Sequence, residues 1–188
     1  NSLAVVFAPG STLGSVWSQS EIDFYINNFK DRNPVLSQQE VVLVKEPRDL
    51  ELITESTTFA VINYEKFERK DASNNRYMRA VRDLASKADL VIFDEGHNLG
   101  NHNSNASKCL SEIVDLSAGK DAIILTATPT KNRLSNLGYL FYMLDPLSER
   151  FRKYKDQPYI YNLDKGAVRN LIYRSKIITL PLKQWAHR

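Results

Sequence analysis

Hydrophobic positions along this chain follow two rhythms. Short, β-branched apolar runs without clean alternation recur at Leu3–Ala8, Glu40–Val44, Thr58–Asn63, Asp89–Phe93, Asp121–Thr126 and Lys176–Leu180. Such runs suit strands buried on both faces. Between them the apolar spacing becomes helical. Ile22, Tyr25, Ile26 and Phe29 form one stripe, with Leu13, Val16 and Trp17 as a companion just before it. Tyr77, Val81, Leu84 and Ala88 form a second, opposite a face of Arg76, Arg79 and Arg82. Ala106, Cys109, Leu110 and Ile113 form a third, and Leu134, Leu137, Phe141 and Leu144 a fourth. Strands alternating with helices predict a layered α/β domain around a mostly parallel sheet. In such sheets ligands gather beyond the carboxyl ends of the strands, so the residues after each strand carry the chemistry. Arg69–Asn75 and Gly100–Asn105 read as polar loops. Residues 146–170, with Pro146, Pro158 and Gly166, read as an irregular or weakly helical connection.

Composition narrows the picture modestly. The 188 residues suffice for one sizeable core. No apolar run reaches the roughly 20 residues of a membrane-spanning helix, so no membrane partner is expected. A single cysteine, Cys109, permits no intrachain disulfide and fits a small buried hydrophobe, which favours an intracellular location, cytoplasmic or nuclear. Charge is uneven: residues 1–149 carry 15 Lys and Arg against 20 Asp and Glu, while residues 150–188 carry 10 against 2. A basic end of this kind is compatible with a polyanion, or with a solvated surface.

Two strand ends stand out. The strand closing at Phe93 delivers Asp94-Glu95-Gly96-His97. Adjacent carboxylates after a buried strand are costly unless something requires them. A magnesium nucleotide meets that need: the first holds the ion through its water shell, and the second orients and polarises the water attacking a γ-phosphate. A plain helix N-cap at Asp94 is the competing reading. The next strand ends in Thr126-Ala127-Thr128-Pro129, whose two hydroxyls fall on one side of an extended chain and could reach back to His97 and Glu95. His97 and His102, without a neighbouring cysteine, make a poor zinc spacing, so no metal beyond Mg²⁺ is expected.

Taken together, VIFDEGH followed by a strand and LTATP resembles motifs II and III of superfamily-two helicases. VVFAPGSTLGSVW resembles motif Ia, and FAVINYEKF resembles motif Ib. LTATPTKNRLSNLGYLFYMLDP resembles the extended motif III of the SWI/SNF branch, and LIYRSKIITLP resembles the segment closing that family's first lobe. The match runs in order through nearly the whole chain. It implies a three-layer RecA-like first motor lobe over residues 1–145, with 146–188 as a basic connection toward a second lobe. It implies ATP and Mg²⁺ as cofactors and double-stranded DNA as partner, in a motor coupling hydrolysis to translocation. Asp94 would hold Mg²⁺ through water and Glu95 would act as catalytic base. His97, Thr126 and Thr128 would couple nucleotide state to movement. Pro9, Gly10 and Ser11 would set backbone N–H groups against one phosphodiester strand, with Asn63, Tyr64, Asn132 and Arg133 candidates for the same track.

Departures from the pattern are specific. Gly96 stands where the family usually has Ala or Cys, a change that looks sterically mild. Ala127 replaces the branch's Gly, Lys131 its Gln, Ser135-Asn136 an acidic pair, and Tyr173 the first arginine of the closing segment. Most importantly, no G-x-x-x-x-G-K-[ST] loop occurs. The expectation is a fragment lacking the phosphate-loop segment and the second lobe, inactive alone, with an open sheet position prone to self-association. The alternatives are an inert lobe that binds nucleic acid or protein, and a strand-separating helicase or restriction-type translocase.

Overall fold

The computed structural model describes residues 2–29, 39–68, 76–100, 104–127 and 135–156. Five strands form one sheet: β1 (Ala4–Ala8), β2 (Glu40–Val44), β3 (Thr57–Asn63), β4 (Leu90–Phe93) and β5 (Asp121–Ile124). Their order is β2-β3-β1-β4-β5, and every pairing is parallel. The five runs read from the sequence as strands within these residues are therefore the strands observed. Lys176–Leu180 lies outside the described residues.

The pleat of the sheet separates two cores. Val6, Ala8, Val61 and Ile92 point to one face, where Leu13 and Trp17 cover them. Those two residues come from α1 (Gly10–Leu13) and the turn after it, with α2 (Gln19–Phe29) beside them. Phe7 and Phe93 point to the other face, stacked with ring centroids 5.6 Å apart, and Phe67 and Tyr77 extend that aromatic row. There α3 (Arg76–Lys87) and α4 (Asn105–Leu116) complete the layered α/β architecture.

The helical stripes hold in part. Ala106, Cys109, Leu110 and Ile113 of α4 are all buried. Its N-terminus is capped by Ser104, whose hydroxyl accepts from the Ser107 N–H at 3.1 Å. Arg82, expected on a separate polar face, pairs with Glu112 and so joins α3 to α4. The α2 stripe is corrected: Tyr25 is 55% exposed and Phe24 61%, while Ile22 packs toward the core. Val16 is likewise exposed. Residues 146–170 are also more ordered than expected at their start, because α6 (Glu149–Asp156) packs on α5 (Ser135–Leu144). Phe141 and Phe151 stack across that pair at 5.4 Å. The polar loop at 69–75 lies outside the described residues, and β5 is an edge strand among those described, with Ile123 and Leu125 exposed.

Candidate nucleotide and nucleic-acid site

Parallel pairing brings the carboxyl ends of the strands to one edge. Ala8 is in register with Asn63, Phe7 with Phe93, and Phe93 with Ile124. The chain leaving each strand therefore enters a common rim, and most of the predicted residues lie on it.

On the β1–β4 side the rim is densely hydrogen-bonded. β1 ends where Pro9, at φ −67° and ψ 153°, lacks the N–H needed to continue a ladder and opens α1 instead. The Asp94 N–H donates to the Phe7 carbonyl at 2.8 Å. Its carboxylate then accepts from Thr12 Oγ1 and Trp17 Nε1, both 3.0 Å from Oδ2, and from the Glu95 N–H, 3.0 Å from Oδ1. A carboxylate has about four acceptor positions, so these donors leave roughly one open. Among the described residues no group of three or more His, Cys, Asp and Glu is placed to hold a metal directly. The one acceptor position left on Asp94 has room for a metal-bound water, and its donors are Thr12, Trp17 and the Glu95 N–H rather than the second or third N–H of a following helix.

On the β4–β5 side the contacts gather around Glu95 and His97. Glu95 adopts a left-handed backbone, φ 50°, unusual for a residue with a side chain. Its Oε2 is buried without an aligned hydrogen bond, although His97 Nδ1 lies 3.0 Å away. The side chain as a whole is 37% exposed, so the rest of it reaches the surface of the rim. His97 Nδ1 also lies 3.1 Å from Thr126 Oγ1, which brings together three of the predicted residues. The backbone is tied across the same gap, the Gly96 N–H donating to the Leu125 carbonyl at 3.0 Å and the Leu125 N–H to Phe93 at 2.9 Å. Gly96 is not the mild departure it looked in sequence. A Cβ built there would overlap the Cγ2 methyl of Ile124, a β-branched side chain with little freedom to yield.

At the end of β3, Asn63 Oδ1 accepts from the Glu65 N–H at 2.9 Å, and Glu65 Oε2 accepts from the Gly10 N–H at 3.3 Å. Gly10 sits so close that a Cβ there would lie 3.0 Å from Glu65 Oε2 and 3.1 Å from Asn63 Nδ2. Gly10 and Ser11 are exposed and Pro9 is buried. The expectation that this turn presents unoccupied N–H groups is thus qualified at Gly10, whose donor is engaged by Glu65. Tyr64 lies deeper than its neighbours on the rim. It is 5% exposed, its hydroxyl accepts from Asn98 Nδ2 at 3.1 Å, and burial raises its pKa above the ordinary 10.0. Its position is inside the rim, where it supports the chain after Glu95. Thr128, Asn132 and Arg133 lie outside the described residues.

Sequence reasoning missed Thr12, Trp17, Glu65 and Asn98. One signal was available: a Trp on an apolar stripe brings an indole N–H that must find an acceptor when buried.

Comparison with known proteins agrees with the motif order. A family model for the SNF2-related domain matches residues 4–173. The transcriptional regulator ATRX of Homo sapiens is 30% identical over 143 residues, covering 71% of this chain and 6% of that protein. Its Mus musculus counterpart is 32% identical over 112 residues, covering 54% and 4%. Among solved structures, the Sulfolobus solfataricus SWI2/SNF2 ATPase core in complex with dsDNA aligns with a TM-score of 0.49 and 18% identity, over 92% of this chain and 32% of that one. The chain therefore spans a small part of the length of each relative.

Proposed function

Because the chain belongs to the SNF2-related domain family, we propose that it forms the first lobe of an ATP-driven motor that translocates on double-stranded DNA. The observation that carries this reading is the division of labour at one sheet edge. Asp94 is held by Thr12 and Trp17, while the partly exposed Glu95 side chain lies beside His97, which in turn meets Thr126. Bound Mg²⁺ would neutralise phosphate charge. Asp94 is suited to accept from the ion's water shell, and Glu95 to orient the attacking water and take its proton. His97 bridges the end of β4 to Thr126 and is placed to pass a change at Glu95 to the chain after β5. The Pro9–Ser11 turn and Asn63 border the same rim and suit one phosphodiester strand, a contact that positions the lobe without reading sequence.

The 188 residues contain no phosphate-binding loop, so we expect hydrolysis to require that loop and a second lobe, and this stretch alone to be inactive. Residues 1–145 would form the lobe and 146–188 its connection onward. The test is ATP hydrolysis by the full-length polypeptide, with and without duplex DNA. Duplex-stimulated turnover that Glu95→Gln removes supports the motor. A polypeptide that binds duplex yet shows no stimulated turnover is an inert binding lobe, and separation of the strands would make it a helicase.

A further inference from the structure

Both side-chain donors on Asp94 Oδ2 come from one short stretch of chain. The Thr12 carbonyl accepts from the N–H groups of Val16, at 3.0 Å, and Trp17, at 3.4 Å, so the two residues are tied through the backbone. Trp17 is 8% exposed and packs with Val6, Ala8, Leu13, Val61 and Ile92. Its ring, and with it the direction of its N–H, is fixed by the sheet. Thr12 is different. Its hydroxyl carries one hydrogen and faces two acceptors, the Pro9 carbonyl at 3.2 Å and Asp94 Oδ2 at 3.0 Å. Whichever acceptor takes the hydrogen, the other gives it up. Pro9 opens the exposed turn at Gly10 and Ser11, so displacement of that turn changes the choice and the number of donors on Asp94.

We infer that Thr12 and Trp17 are positioning residues that carry engagement of the Pro9–Ser11 turn by nucleic acid to the Asp94 carboxylate. This rests on the proposed function and adds a physical link between its two halves. Trp17 is the fixed arm, holding the carboxylate against the sheet. Thr12 is the movable arm, adding or withdrawing one charge-assisted hydrogen bond as the turn shifts. Glu65 Oε2 on the Gly10 N–H sets the resting position of the turn.

The test uses the full-length polypeptide and two substitutions of one size class. Thr12→Val keeps the shape and removes the hydroxyl, whereas Thr12→Ser keeps it. Thr12→Val is expected to lower the ratio of duplex-stimulated to basal ATP turnover about tenfold, the scale of one hydrogen bond to a charged group, and Thr12→Ser to retain it. Independently of turnover, the indole N–H resonance of Trp17, assigned through Trp17→Phe in ¹⁵N-labelled protein, is expected to shift when duplex is added without nucleotide. An unchanged ratio in a folded Thr12→Val protein overturns the inference. So does an indole resonance that ignores duplex the protein demonstrably binds, and this second readout decides the matter if Thr12→Val fails to fold. Wild-type protein without duplex-stimulated turnover would instead sink the proposed motor.

Discussion

Asp94 and Glu95 are adjacent in the chain, yet the two sides of the rim treat them in opposite ways. Toward β1, Asp94 receives donors from Thr12, Trp17 and the Glu95 backbone and sits in ordinary conformation. Toward β5, Glu95 holds a left-handed backbone and a buried oxygen without an aligned donor. The first side is satisfied by the fold itself. The second retains strain and unmet hydrogen-bonding capacity, which persist only where the surroundings enforce them and which a substrate can relieve. The contrast teaches that two adjacent carboxylates of one motif can be held in opposite ways, which suits the different roles proposed for them.

The contrast can be broken most decisively through chemistry. Glu95→Gln in the full-length polypeptide is expected to cut duplex-stimulated ATP turnover by about 1,000-fold, the scale of a lost general base, while leaving the unfolding midpoint in urea nearly unchanged. Asp94→Ala adds a stability loss to the loss of turnover, by stranding the Trp17 and Thr12 donors. It is expected to lower unfolding free energy by about 3 kcal/mol, and equal losses for Asp94→Ala and Glu95→Ala would erase the distinction. At Glu95 the backbone can be isolated, because Gly should exceed Ala in stability by about 1 kcal/mol at a left-handed position.

Smaller effects sharpen the β4–β5 side. Gly96→Ala is expected to cost about 2 kcal/mol by overpacking against Ile124. Ile124→Leu, which removes the offending branch, should recover part of that loss, and strictly additive unfolding energies for the double variant would refute the clash. The smallest effect is a titration. Burial holds the Tyr64 phenol protonated above its ordinary value of 10.0. Its contribution to stability is therefore complete below pH 10.0 and lost as pH rises through the higher folded value. Asn98→Ala removes a hydrogen bond that lowers this pKa, so phenolate absorbance at Tyr64 should appear at still higher pH.

Much of this was legible in local pattern. The runs at Glu40–Val44 and Asp89–Phe93 carry enough β-branched and apolar residues to mark buried strands, and the edge rule then pointed to Asp94, Glu95, His97 and Thr126. Local pattern has no means of showing who bonds to whom. Trp17 and Asp94 are 77 residues apart and Gly10 and Glu65 are 55 apart. Those pairs meet because parallel registry aligns the strand ends, which is a property of the assembled sheet. The same limit explains Tyr64, whose hydroxyl is met by Asn98 from another strand's exit. Tyr25 shows the converse failure, since helical spacing identified α2 but not which flank faces the sheet.

One property of the sheet reaches beyond the finished molecule. Among the described strands β1 is made before both of its neighbours, β3 and β4, with Phe7 lying between Ile62 and Phe93. No neighbour close in sequence can shelter it, and its second partner emerges only with residues 90–93. During synthesis one edge of this apolar strand must wait for β3, which begins at Thr57, and the other for β4, which begins at Leu90. Such long-range parallel pairing is intrinsically slow. The nascent chain is then most vulnerable to aggregation, and most in need of a chaperone, while the segment between β1 and β4 is being made.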